Sequence, residues 1–188
     1  MNTMNKERLN ELARSIHEIA TTHGWHEEKK SDAHWLCMVM TEIAEAVEAD
    51  RKGKRANMKD FHRLVRIGDV PDAYWKVCYG DFIKGSLEEE FADIVIRILD
   101  FANEKFGDKM EWHEWSIRKV SDKTTFTEKA FSLLRWMTNE NIGMNEITLF
   151  VQFMYAWAES LKIDLDWHID AKMRYNAMRE YRHGNKKY

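Results

Sequence analysis

Two pairs of acidic residues carry the chemistry for which this chain can be read: Glu42 and Glu45 in "EIAEAVEAD", and Glu90 and Asp93 in "EEEFADIVI". On a helix, residues three and four apart share a face, so each pair sets two carboxylates side by side. Counting back from the first pair gives the stripe Trp35, Met38, Glu42, Glu45, which turns from apolar to acidic along its length. The second pair continues as Glu90, Asp93, Arg97, Asp100. Helices packed through the apolar stripes beside these rows would bring Glu42, Glu45, Glu90 and Asp93 into one small volume. Partly buried carboxylates repel one another and either take up protons or recruit cations. An all-carboxylate set without paired Cys or His favours Mg²⁺ or Mn²⁺ over Zn²⁺, and Mg²⁺ held by a few carboxylates normally also takes substrate phosphates. Either pair alone is an ordinary solvated helix feature; two pairs, each bordering a strongly apolar stripe, point to a divalent-metal site.

The elements that must position these acids are helical. A single proline, Pro71, and eight glycines fall between periodic segments, as in an all-α chain. Leu9, Leu12, Ile16, Ile19 and Ala20 predict a first amphipathic helix stopping near Gly24. A second is expected from about Asp32 to Asp50, with a core stripe of Leu36, Val39, Met40, Ile43 and Val47 and the basic "RKGKR" at its negative end. Ser86 followed by Glu89 has the spacing of a capping box and opens a third helix, whose stripe is Leu87, Phe91, Ile94, Ile98 and Phe101 and whose stop is Gly107. Between the second and third lies a segment too rich in aromatics to stay solvated, expected to fold partly as short helices. Further helices are predicted at roughly 127–139, 145–162 and Asp164 to Tyr181, before a basic tail, "RHGNKKY". A faint echo links "GDKMEWH" (107–113) to "KIDLDWH" (162–168), a hint of duplicated helix pairs.

At 188 residues the chain suits one domain. With 29 basic against 32 acidic residues and a formal charge of -3, it shows no footprint for nucleic acid or a membrane surface. Two isolated cysteines, Cys37 and Cys78, give no disulfide framework, and neither an apolar leader nor a membrane-length apolar run is present, so a cytoplasmic location is expected.

"EIAE" followed by "EFAD" resembles the E-x-x-E … E-x-x-D signature of the MazG-like, all-α nucleoside triphosphate pyrophosphohydrolases. The C-terminal "KMRYNAMREYRHGNKKY" is similar to the K-x-x-x-N-x-x-R-x-x-x-H-G-K segment that closes many of them, with Lys172, Asn176, Arg179 and His183 in register. The resemblance implies one MazG-like helical domain over 1–188, with insertions at about 51–85 and 108–161, assembled as a homodimer or homotetramer. It implies Mg²⁺-dependent hydrolysis of a nucleoside triphosphate to the monophosphate and pyrophosphate, serving nucleotide-pool cleaning. Glu42, Glu45, Glu90 and Asp93 would hold the metal, with Glu45 polarising the attacking water; Lys172, Arg179 and Lys186 would grip phosphates, with Asn176 on the same face as the first two. His17 and Trp25 look like the His and Trp that line the base pocket in some pyrimidine-processing relatives. The chain departs from the compact members in its long gap between the two acidic motifs and in the stretch separating the third helix from the last, which bears on base specificity and assembly.

Two other readings stay open. A di-iron carboxylate bundle would need an E-x-x-H pair on each of two helices, whereas only Glu180 with His183 has that spacing. A non-catalytic helical interaction module would use the eight tryptophans as a partner surface.

Overall fold

The computed structural model describes residues 6–65, 70–113, 119–139, 141–185 and 187, and among them it is all-helical, without strands. Its order is α1 (Lys6–Thr22), α2 (Asp32–Arg51), α3 (Met58–Val65), α4 (Asp72–Phe82), α5 (Leu87–Phe106), a 3₁₀ turn (Gly107–Lys109), α6 (Phe126–Met137), α7 (Met144–Ser160), α8 (Leu165–Ala177) and a single kinked turn, α9 (Arg182–Asn185). No helix of the described residues is long and apolar enough to cross a membrane.

The third predicted helix, α5, is the axis of the fold. It packs on α1, α2, α7 and α8, and α2 packs in turn on α6. Its stripe of Leu87, Phe91, Ile94, Ile98 and Phe101 is fully buried, but so are Val95, Leu99 and Ala102 on its other faces. A helix surrounded on several sides must be apolar nearly all round, so the polar residues it keeps are ones with partners. On α2 the buried residues include Leu36, Val39 and Ile43 as expected, together with Trp35 and Ala46, whereas Met40 and Val47 are only partly covered. The Ser31 hydroxyl caps α2 by accepting from the His34 amide.

Between α2 and α5, α3 and α4 build a second apolar cluster, in which Phe61, Trp75, Tyr79 and Ile83 pack on Ala171 and Tyr175 of α8. Glu88 ties this unit to the start of α5, accepting from Arg55 Nε at 2.6 Å and from the Ala56 amide at 2.9 Å. Within 108–161, α6 and α7 place Leu133, Phe150, Met154 and Trp157 in the main core beside Phe91. The echo between 107–113 and 162–168 has no structural counterpart. The first segment leaves α5 through the 3₁₀ turn, with Trp112 Nε1 donating to Asn10, and the second enters α8, with Trp167 edge-on to Phe61.

The last helix ends at Ala177, short of the expected Tyr181, because the chain must turn back. Arg182 and His183 adopt left-handed backbone angles, and the Arg182 amide donates to His23 O at 2.9 Å while its side chain reaches Gly24 O and Glu27. Gly24 is required here twice over: its φ is +82°, and a Cβ would lie 2.3 Å from the Tyr181 ring.

Candidate metal and phosphate site

The acidic rows of α2 and α5 face one another where these two helices pack. One carboxylate oxygen from each of Glu42, Glu90 and Asp93 lies within 4.8 Å of the others, and both glutamates are buried. Glu45, one turn further along α2, is exposed and lines the same cavity at its rim. The cavity measures about 410 Å³, within the range of small-molecule sites. Among the described residues its walls carry six carboxylates, Glu42, Glu45, Glu89, Glu90, Asp93 and Asp100, against four side-chain cations, Lys84, Arg97, Lys172 and Arg179. Fully ionised, these groups leave two negative charges in excess, a deficit one divalent ion matches.

The acids are not bare, however. Arg97 Nε donates to Glu42 at 3.0 Å, and Lys172 Nζ sits 2.6 Å from both Glu89 Oε1 and Asp93 Oδ2. Protein cations therefore supply part of the compensation that the sequence assigned wholly to a metal. What they leave is visible in Glu90. Burial, then Asp93, Glu89 and Glu45, push its carboxyl up to about 8 against the pull of Lys172. Asp93 is likewise raised, by burial first and by Glu42 and Glu89, although Lys172 opposes this. Hard oxygen donors that resist ionisation without a cation are a chemical fit to Mg²⁺ or Mn²⁺.

Glu89 is a member of this site that sequence reasoning assigned only to capping. The Ser86 half of the box forms, its hydroxyl accepting from the Glu89 amide at 3.2 Å. The Glu89 carboxylate instead accepts from the Gly85 amide, from Tyr79 Oη at 3.1 Å and from Lys172. The signal was the unbroken "LEEEFAD", whose second acid falls four residues before Asp93 and so on its face. Gly85 holds φ +70°, so the turn that aims its amide at Glu89 favours glycine.

The basic residues divide differently from expectation. Lys172 is no solvated helix-end cation; it is 7 % exposed and held between two acids, which drive its pKa up although burial opposes this. Arg179 lines the cavity with its guanidinium 5.8 Å from the Tyr175 ring, and Lys84, which belongs to none of the sequence motifs, lies 5.7 Å from the same ring. Among the described residues neither makes an ion pair. The Asn176 side-chain oxygen is buried in the cavity wall without a hydrogen bond. Lys186 lies outside the described residues.

Trp25 lines the cavity, edge-on to His183 at 5.2 Å, beside an apolar patch of Ile16, Ile19, Ala20 and Met38. The predicted α1 stripe thus ends as cavity wall. His17 is not among the residues lining the cavity. Its Nδ1 bonds Asp100 at 2.9 Å, and Asp100 also takes His26 Nε2 at 2.9 Å, the two rings lying 4.2 Å apart. The sequence shows no metal-ligand spacing between these histidines, and only the docking of α1 and its following loop on α5 pairs them. Glu180, half of the sole E-x-x-H, is exposed. The chain matches no family model, no curated protein and no solved structure.

Proposed function

We propose that this protein is a Mg²⁺-dependent nucleoside triphosphate pyrophosphohydrolase of MazG-like type, converting a (deoxy)nucleoside triphosphate and water into the monophosphate and pyrophosphate. The observation that carries the reading is the convergence of buried Glu42 and Glu90 and half-buried Asp93 on one wall of a cavity that also offers two cations, Lys84 and Arg179, that make no ion pair among the described residues. Glu42, Glu90 and Asp93 would hold the ion, which supplies charge neutralisation for the phosphates and alignment of the attacking water when bound. Arg97 and Lys172 keep the carboxylates spaced and partly neutralised before substrate arrives. Glu45, at the solvent rim, would accept the proton of the water that attacks the α-phosphorus. Lys84 and Arg179 grip the outer phosphates, and the unpaired side-chain oxygen of Asn176 would accept from a sugar hydroxyl. Trp25, Ile19 and Met38 give the base an apolar wall. Assembly as a homodimer or homotetramer is part of the same proposal and is checked by light scattering.

The test is a panel of deoxy- and ribonucleoside triphosphates incubated with Mg²⁺ or Mn²⁺, with pyrophosphate and orthophosphate measured separately. Pyrophosphate is expected, and Asp93→Asn should abolish it while circular dichroism stays unchanged. Absence of pyrophosphate from every substrate would overturn the assignment in favour of a non-catalytic helical module.

A further inference from the structure

We propose that His17, His26 and Glu104 form a second metal site, a two-histidine, one-carboxylate centre for a first-row transition metal such as Zn²⁺, oriented by Asp100 and separate from the acidic group. One nitrogen of each ring and one Glu104 oxygen lie within 4.8 Å of one another. Asp100 decides which nitrogens these are. Its carboxylate is buried and contacts both rings. An ionised carboxylate only accepts, so the nitrogens touching it, His17 Nδ1 and His26 Nε2, both carry hydrogen. In neutral rings the lone pairs then sit on His17 Nε2 and His26 Nδ1, and both lie near Glu104 Oε2, at 3.8 and 3.2 Å.

Three electron-pair donors thus face a common point. Among the described residues His26 Nδ1 is buried without a hydrogen bond, although Glu104 Oε2 lies 3.2 Å away. Tetrahedral Zn²⁺ with bonds of about 2.0–2.1 Å sets its ligand atoms about 3.4 Å apart, between the two separations found here. An imidazole that donates its far N–H to a carboxylate is the usual outer support of a metal-binding histidine, and here one carboxylate serves both rings. His26 is further fixed by stacking on Trp35 at 4.7 Å. His17 and Glu104 are 24 % and 33 % exposed, so an ion can enter and keep an open coordination position. Imidazole donors select Zn²⁺ and its neighbours over Mg²⁺.

The full chain, stripped with EDTA and held in excess Mg²⁺ to occupy the acidic group, is titrated with Co²⁺ as probe. The expected result is one Co²⁺ per chain with visible ligand-field absorption and shifted imidazole N–H resonances, displaced by Zn²⁺. His26→Ala should weaken binding by more than about 100-fold, and Asp100→Asn by about 10- to 100-fold, as for an outer-shell partner. Glu104→Gln, at the exposed edge, serves as the variant that keeps the fold while losing the ion. Wild-type-like Co²⁺ binding by Glu104→Gln, or loss of binding in Glu90→Gln, would place the ion elsewhere and overturn the proposal. So would ¹⁵N spectra in which His26 Nδ1 stays protonated with and without Zn²⁺, since a proton would then close the triad. None of these readouts depends on nucleotide hydrolysis.

Discussion

Replacing Glu90 with Gln isolates the electrostatic cost of the acidic group. Glu90 is 5 % exposed and its carboxyl is pushed up to about 8, chiefly by burial and then by its acidic neighbours, whereas in the unfolded chain it titrates near the ordinary 4.5. Between those two values the native state keeps a proton that the unfolded state has released. Stability contributed by this group is therefore fully present below about 4.5 and is lost as pH rises through about 8, with a slope near 1.4 kcal/mol per pH unit inside the window. From pH 6 to pH 8 the loss is about 2 kcal/mol, or roughly 4–8 °C in Tm for a chain of this length. Gln cannot ionise, so Glu90→Gln should remove that slope, and Asp93, relieved of a repelling neighbour, should flatten it further. The assay is thermal and urea unfolding of both proteins in EDTA across pH 6 to 8. Mg²⁺ added at pH 8 should restore wild-type stability and do little for the variant. Wild-type and variant curves that run parallel across this range would refute the claim that the acids repel in a common buried space.

The other expectations follow from single contacts. Lys172→Met leaves Glu89 and Asp93 without their shared cation and should cost about 3–5 kcal/mol, as loss of one partner of a buried pair does; acidification should recover part of it, measured by urea unfolding at pH 5 and 7.5. Lys84→Ala and Arg179→Ala should each raise KM for a triphosphate with kcat little changed, because both remove ground-state binding; an unmoved KM would return these cations to the surface. Phe91→Ala, at the centre of the core against Trp157, should cost about 3–5 kcal/mol in urea unfolding. Gly24→Ala should destabilise by more than about 1 kcal/mol, and adding Tyr181→Ala should recover the steric part but not the part due to positive φ.

Much of the helical plan is legible in the sequence, because it rests on local rules. The spacing of Leu87, Phe91, Ile94, Ile98 and Phe101 and the stop at Gly107 mark α5, and Ser86 opens it where a side-chain oxygen can take an amide. The i, i+3 spacing put Glu42 beside Glu45 and Glu90 beside Asp93 on their own helices. Nothing local could say that Lys172, 83 residues from Glu89, would be drawn into the acids, that Glu89 would turn from capping to bind it, or that Lys84 and Arg179 would share a cavity wall. Those pairings depend on how α8 and the turn after α4 settle against α5, which is a matter of packing between distant segments. The His17–His26–Asp100–Glu104 group is the clearest case: its spacing in the chain matches no ligand motif, and only the seating of α1 and its loop on α5 brings the rings to one carboxylate. Helix period and capping act over a few residues and are written in the sequence, whereas which charges meet is decided by long-range packing, where burial makes each unpaired charge costly enough to select its partner.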